Sequence, residues 1–179
     1  MSKLKGTFEV TSGKIRVTDP CYDLTTPCVA EFKAENGTWE YEIVTSNEGI
    51  WGERVNKIRV LHKDYKNSYT SNNITHNNNI IYDDIGVDSG QCGFFDAETY
   101  KKEYGKNPHG GEYNNKSTFY GKCCALTSNE NDPTQVGGSL PFGVVSSSGY
   151  GDGGYDCLVS FNTDGKAVAA ILTFIDEND

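Results

Sequence analysis

The sequence predicts a mainly β fold, an antiparallel sandwich or partly closed barrel with one short α-helix, on three observations. Short runs in which apolar and polar residues alternate recur along the chain, the period of half-buried strands. Glycine is abundant, 20 of 179 residues, as expected where tight turns need backbone at positive φ. Aromatic residues make up 12% of the chain, and their wide side chains suit a pleated, half-buried surface. Together these predict about eight to ten short strands in a single domain over residues 1–179.

The elements follow in order. Thr7-Phe8-Glu9-Val10 and Lys14-Ile15-Arg16-Val17 alternate with period two around a turn at Thr11-Ser12-Gly13. In Trp39-Glu40-Tyr41-Glu42-Ile43 the three large residues face one way and the two glutamates the other. Asn47-Glu48-Gly49 turns the chain, and 55–62 returns antiparallel. The Asn-rich stretch 67–79 reads as an exposed loop. Ile80-Ile81-Tyr82 and Ile85-Gly86-Val87 then re-enter the core. Asp96 is placed to cap a helix over 97–104 that Gly105 ends, with Phe95 and Tyr100 at the spacing of a hydrophobic staple. A Gly/Asn/Pro loop is expected at 106–115, strands at 117–126 and 142–147, and a polar loop at 127–139. Asn162-Thr163-Asp164-Gly165 between two apolar runs, 155–161 and 167–175, signals a hairpin.

Charge and cysteine usage narrow the functional classes. A formal charge of −9 repels phosphate backbones and disfavours generic nucleic-acid binding, while favouring solubility. No segment approaches the ~20 apolar residues that span a bilayer, and the first residues lead into no apolar run of signal-peptide length. Cys21, Cys28, Cys92, Cys123, Cys124 and Cys157 form no CxxC pair, so they read as small hydrophobes in a reducing, cytoplasmic compartment. Zinc-ligand spacing is absent, and no cofactor is expected. His62, His76 and His109 read as solvated surface residues rather than catalytic partners, and Lys101-Lys102 as the solvent face of the short helix.

Two Gly-rich segments and one Asp-Pro step can carry a site. Asp88-Ser89-Gly90-Gln91-Cys92-Gly93 lies between a strand and the expected helix, where backbone N–H groups can turn toward an anion. It is neither a Walker motif nor a dinucleotide fingerprint. Ser146-Ser147-Ser148-Gly149-Tyr150-Gly151-Asp152-Gly153-Gly154-Tyr155 holds four glycines in six residues, together with hydroxyls, an acid and two stacking faces. It lacks the Gly-x-Ser-x-Gly elbow of a serine nucleophile. Asp19, held extended by Pro20, could join Asp88 and Asp152 as a cation site or an acid–base pair. The competing structural reading is that all three aspartates bond turn backbone.

These motifs resemble those of an uncharacterised bacterial family, catalogued as domain of unknown function 4241. Residues 85–98, Ile-Gly-Val-Asp-Ser-Gly-Gln-Cys-Gly-Phe-Phe-Asp-Ala-Glu, are similar to its VDAG-x-x-x-F-x-DAE signature, and 148–155 to its SGYGDGSY signature. The 162–168 hairpin and the Asp19-Pro20 strand end also match. Gly154 stands where the family usually has Ser, and 157–159 replaces an aromatic-rich segment. The resemblance implies a fold but no established activity. It also implies occurrence in bacterial and mobile-element genomes, and hence a phage or defence-related role.

The functional expectation is a non-catalytic protein that captures a small polar molecule, with a nucleotide-derived signal as first candidate. A phage-encoded copy would then sequester a host defence signal. The expected ligand-binding residues are Asp19, Asp88, Ser89, Gly90, Ser148, Gly149, Tyr150, Gly151, Asp152, Gly153 and Tyr155. A hydrolase using Asp19, Asp88 and Asp152, with or without a metal, is the alternative, and an acidic protein–protein inhibitor a third.

Overall fold

Alternation of buried and exposed residues along eleven strands builds two antiparallel sheets packed face to face. The computed structural model describes residues 2–67, 79–101, 116–128, 132 and 134–176. Strands β1 (Ser2–Val10), β4 (Gly37–Asn47), β5 (Glu53–His62), β11 (Ala167–Thr173), β10 (Gly153–Phe161) and β6 (Asn79–Val87) form one sheet in the order β1-β4-β5-β11-β10-β6. Strands β3 (Ala30–Lys33), β2 (Lys14–Thr18), β7 (Gln91–Asp96), β9 (Gly143–Ser147) and β8 (Gly137–Leu140) form the other, in the order β3-β2-β7-β9-β8. The fold is a sandwich and not a closed barrel.

The core between the sheets is made by the residues the alternation points inward. Phe8, Trp39, Ile43, Ile58, Val159 and Leu172 come from the six-stranded sheet, and Ile15, Val17, Phe32, Phe94 and Val144 from the other. Both edges are stitched by backbone bonds between the layers: Glu9 N–H donates to Pro141 O at 2.9 Å, and Gly86 N–H to Cys28 O at 2.9 Å. Gly86 permits the second stitch, since a Cβ there would lie 2.6 Å from Cys28 Sγ.

The outer face of the five-stranded sheet carries a third layer. Helix α1 (Phe119–Thr127) is capped by Thr118, whose hydroxyl accepts from Gly121 N–H at 3.0 Å. Phe119 and Cys123, with Leu126 packed against them, join Phe95, Tyr100, Leu140 and Val145 in a second apolar cluster. Strand β7 is therefore buried at every position.

Several expectations are corrected. The single described α-helix lies at Phe119–Thr127, over most of the 117–126 stretch expected as a strand. The expected helix after Asp96 is a turn over 97–101, and its remainder to Gly105 lies outside the described residues. Asp96 does cap it, accepting from Thr99 N–H at 3.1 Å, and Phe95 does meet Tyr100 at 5.4 Å between ring centres. Lys101, however, adopts φ 61°, outside the helical region, and its ammonium sits 5.5 Å over the Tyr100 ring rather than on a solvent face. The other Asp96 oxygen accepts from Thr11 and Ser12 N–H at 2.7 and 2.8 Å, tying the corner between β1 and β2.

Strand β8 falls inside the expected 127–139 loop, since pairing with β9 outweighs the poor strand propensity of Gly137 and Gly138. Ile80 and Ile81 lie on the edge strand β6 and are 49% and 64% exposed instead of core. His62 is buried, not solvated, with Nε2 2.9 Å from Asn36 O and its ring edge-on to Trp39. His76, His109, residues 68–78 of the expected Asn-rich loop and the expected 106–115 loop lie outside the described residues.

Candidate functional site

Strand β2 ends at Thr18, and the extended Asp19-Pro20 step drives the Asp19 carboxylate into the fold, fully buried. There it accepts four hydrogen bonds: Asp88 N–H (2.9 Å) and Ser89 N–H (2.7 Å) on Oδ2, and Ser89 Oγ–H (2.6 Å) and Cys21 N–H (2.8 Å) on Oδ1. The Tyr22 hydroxyl donates to Asp88 Oδ2 at 2.8 Å. Gly90, at φ 67°, gives its N–H to Asp152 Oδ1 at 3.0 Å and accepts from Ser148 N–H at 3.0 Å. The two Gly-rich segments therefore meet at one end of the sandwich.

Their polar atoms are directed at each other. In the 148–155 loop, Ser148 Oγ–H donates to Gly151 O at 2.7 Å, and Gly151 N–H to Ser148 O at 2.8 Å. The Tyr155 hydroxyl lies 2.7 Å from Gly151 O and 3.0 Å from Ser148 O. Gly149 takes φ 57° and packs on Phe174 and Ile175, while Gly151 takes φ 116° with open space around it. Gly153 opens β10 opposite Val87.

Of the expected site residues, Asp19, Asp88, Ser89, Gly90, Ser148 and Asp152 thus form one bonded knot. The thiols beside it are poor nucleophiles: burial, with Asp19 close by, pushes Cys21 up to about 12, and burial likewise raises Cys92, Cys123 and Cys157. Among the described residues no group of His, Cys, Asp and Glu is arranged to hold a metal ion.

The open space lies on the far side of the 148–155 loop. A groove of about 820 Å³ lies at the end of the six-stranded sheet where β4, β5, β10 and β11 end, and reaches Ile81 of β6. Tyr150, Gly154 and Tyr155 wall one side, and Ser46 and Glu48 the hairpin end. Asn56, Asp156, Leu158, Thr173 and Asp176 are among its other lining residues. The 53–62 strand makes this shape through a bulge: Val44 pairs with Lys57 and Thr45 with Val55, so Asn56 has no partner in the ladder. Asn56 O accepts instead from Phe174 and Ile175 N–H, at 2.8 and 3.1 Å, which bends the end of β11 across the groove. Asn56 is only 2% exposed, and its side-chain Oδ1 has no hydrogen-bond partner among the described residues.

At the rim, Tyr150 donates to Glu48 Oε2 at 2.8 Å and Ser46 Oγ–H to Glu48 Oε1 at 2.6 Å. Those two bonds hold the Glu48 carboxyl below its usual range. Trp51 stands edge-on to Tyr150, 6.5 Å between ring centres, and both are more than half exposed.

A family model described as a protein of unknown function, DUF4241, matches residues 8–173. The chain belongs to that family. No curated protein and no solved structure matches the chain.

Within this DUF4241 chain the signature residues hold structure together. Asp88, Ser89 and Gly90 bind Asp19 and Asp152, Asp96 binds the 11–12 corner, and Gly86 admits Cys28. Sequence reasoning reached the groove only through Tyr150 and Tyr155, and it missed Ser46, Glu48, Asn56, Asp156, Thr173 and Asp176. One signal was available. Ile58 and Val60 set the inward phase of β5, Asn56 continues it with a polar residue, and Val55 is out of step. That slip marks a bulge with a buried amide.

Proposed function

We propose that the protein binds a small polar molecule without chemical turnover, and that the groove beside the 148–155 loop is where it is held. The observation that carries this reading is a groove of about 820 Å³, a volume within the usual range of ligand sites, whose lining includes Asn56, a buried residue with no donor to its Oδ1 among the described residues. A buried acceptor left without a donor costs roughly 1–3 kcal/mol, and a ligand N–H or O–H recovers it. Exposed Tyr150 and Trp51 add stacking faces at the mouth.

Binding is favoured over hydrolysis by what the aspartates already do. Both Asp19 oxygens are committed to backbone and hydroxyl donors, and Asp152 and Asp88 each hold a donor across the knot. A general base needs a free lone pair aimed at a substrate proton, and Asp19, which would join the other two in an acid–base site, has both oxygens taken. A ligand held and returned intact is sequestered, the role expected of a phage-encoded copy that counters host defence signalling.

The test is recovery. The protein is incubated with cell extract, and separately with a pool of nucleotide-derived signals, then examined by native mass spectrometry and denatured. A bound mass that returns unchanged supports the reading. Return of a hydrolysed product contradicts it.

A further inference from the structure

The groove's polar lining is almost entirely acceptor. Glu48, Asp156 and Asp176 supply three carboxylates, and among the described residues no lysine or arginine lines it. Arg54 and Lys57 flank it on β5, opposite Ser46 and Thr173. The side chains of Asp156 and Asp176 are exposed and make no hydrogen bond or ion pair among the described residues. The hydroxyls of Ser46 and Tyr150 already donate to Glu48, so toward a ligand their oxygens can only accept. Asn56 also lines the groove, and its buried Oδ1 is an acceptor without a donor among the described residues. A phosphate placed here would meet the three lining carboxylates, with the positive charges of Arg54 and Lys57 only at the flank. A group rich in N–H and carrying positive charge meets the reverse.

The apolar lining is adjacent. Across the solvent face Ile81, Leu158 and Ile171 stand side by side, followed by Arg59, Glu42 and Lys5 in the same row. Its first two members line the groove, and Ile81 is 64% exposed. Tyr150 and Trp51 offer ring faces near Glu48, where a cation is also held by the ring quadrupole.

We infer that the groove takes a small organic cation, an ammonium or guanidinium carried on an apolar body, with its charged head among Glu48, Asp156, Asp176 and Asn56 Oδ1. This rests on the groove being the binding site and adds the charge class of what it holds. The ligand's N–H groups donate to the acceptors, and its apolar part lies along Ile81 and Leu158.

The probes are phenethylamine as the cation, phenylacetate as an anion of similar shape, and adenosine monophosphate. Each is titrated into the whole protein by calorimetry, with Trp51 fluorescence as a second readout. The expected result is binding of phenethylamine alone, weakened about tenfold in the Asp156→Asn/Asp176→Asn double variant and also weakened by added salt. Both aspartates are exposed and unbonded, so the double variant retains the wild-type melting temperature. Binding of phenylacetate or the nucleotide, lost in Tyr150→Ala, while phenethylamine is ignored, overturns the cation assignment and leaves the groove as the site. Binding of phenethylamine that the double variant does not weaken overturns the assignment as well. If no probe binds and extract yields no ligand, both the cation assignment and the groove reading fail.

Discussion

At the scale of single residues, Asp19 and Asn56 are opposite cases of a buried polar group. Asp19 accepts four donors, so its burial is satisfied and its loss leaves Asp88 and Ser89 N–H groups orphaned. Asp19→Ala is expected to destabilise by about 3 kcal/mol, lowering Tm by roughly 6–12 °C for a chain of this size. Asp19→Asn also destabilises, because it turns an NH2 toward N–H donors. Asn56 has an acceptor without a donor among the described residues. Asn56→Leu removes that orphan and keeps the volume, so the free protein melts at the same temperature or higher, while ligand capture drops. Thermal melts with and without ligand read both effects. A lower Tm for Asn56→Leu in the absence of ligand would make the amide structural. Asp96 adds a pH dependence. Burial pushes its carboxyl up, but the amides of Ser12, Thr11 and Thr99 outweigh that, and its folded value is lowered. Its contribution is therefore complete above the ordinary carboxylate range, near ~4, and is lost as pH falls through the lowered folded value. Asp96→Asn should be less stable than wild type at pH 7, with the gap closing in acid melts.

At the scale of elements, pairing and packing decided the cases where local pattern misled. The 117–126 stretch holds the strand formers Phe119 and Tyr120, yet Phe119, Cys123 and Leu126 recur at i, i+4 and i+7 behind a capping Thr118. Thr118→Ala should cost about 1 kcal/mol, measurable by urea unfolding, and an unchanged midpoint would remove the cap from the account. By contrast 39–43, 55–62 and the 162–165 turn were legible, since alternation and an Asp-Gly step are local signals that tertiary packing reinforced. The meeting of 88–90 with 148–152 was legible as composition: glycines and aspartates beyond what a connection needs. What those residues do was not legible, because the partner of a carboxylate is set by topology. Gly151 sits at φ 116° with open space around it, so Gly151→Val should lower Tm by a few degrees through backbone strain of ~1–3 kcal/mol and not through a clash.

At the scale of the whole molecule, the family signature and the candidate ligand site lie back to back on the 148–155 loop. One side ties the two sheets through Asp152, Gly90 and Asp19; the other presents Tyr150 and Tyr155 to the groove. This arrangement lets the knot position the groove without lining it, and it separates the consequences of mutation. Changes in the knot act on stability, and changes at Asp156, Asp176 or Asn56 act on capture. The groove was invisible as a unit in the sequence, because its lining comes from five strands and the 148–155 loop, with Asn56 at a bulge. The most direct measurement of this division is an amide chemical-shift map of the labelled protein, recorded with the ligand recovered intact from extract. The account predicts that shifts concentrate at 46–56, 150–158 and 173–176. Shifts centred on Asp19 and 88–90, with the groove residues unmoved, would contradict it.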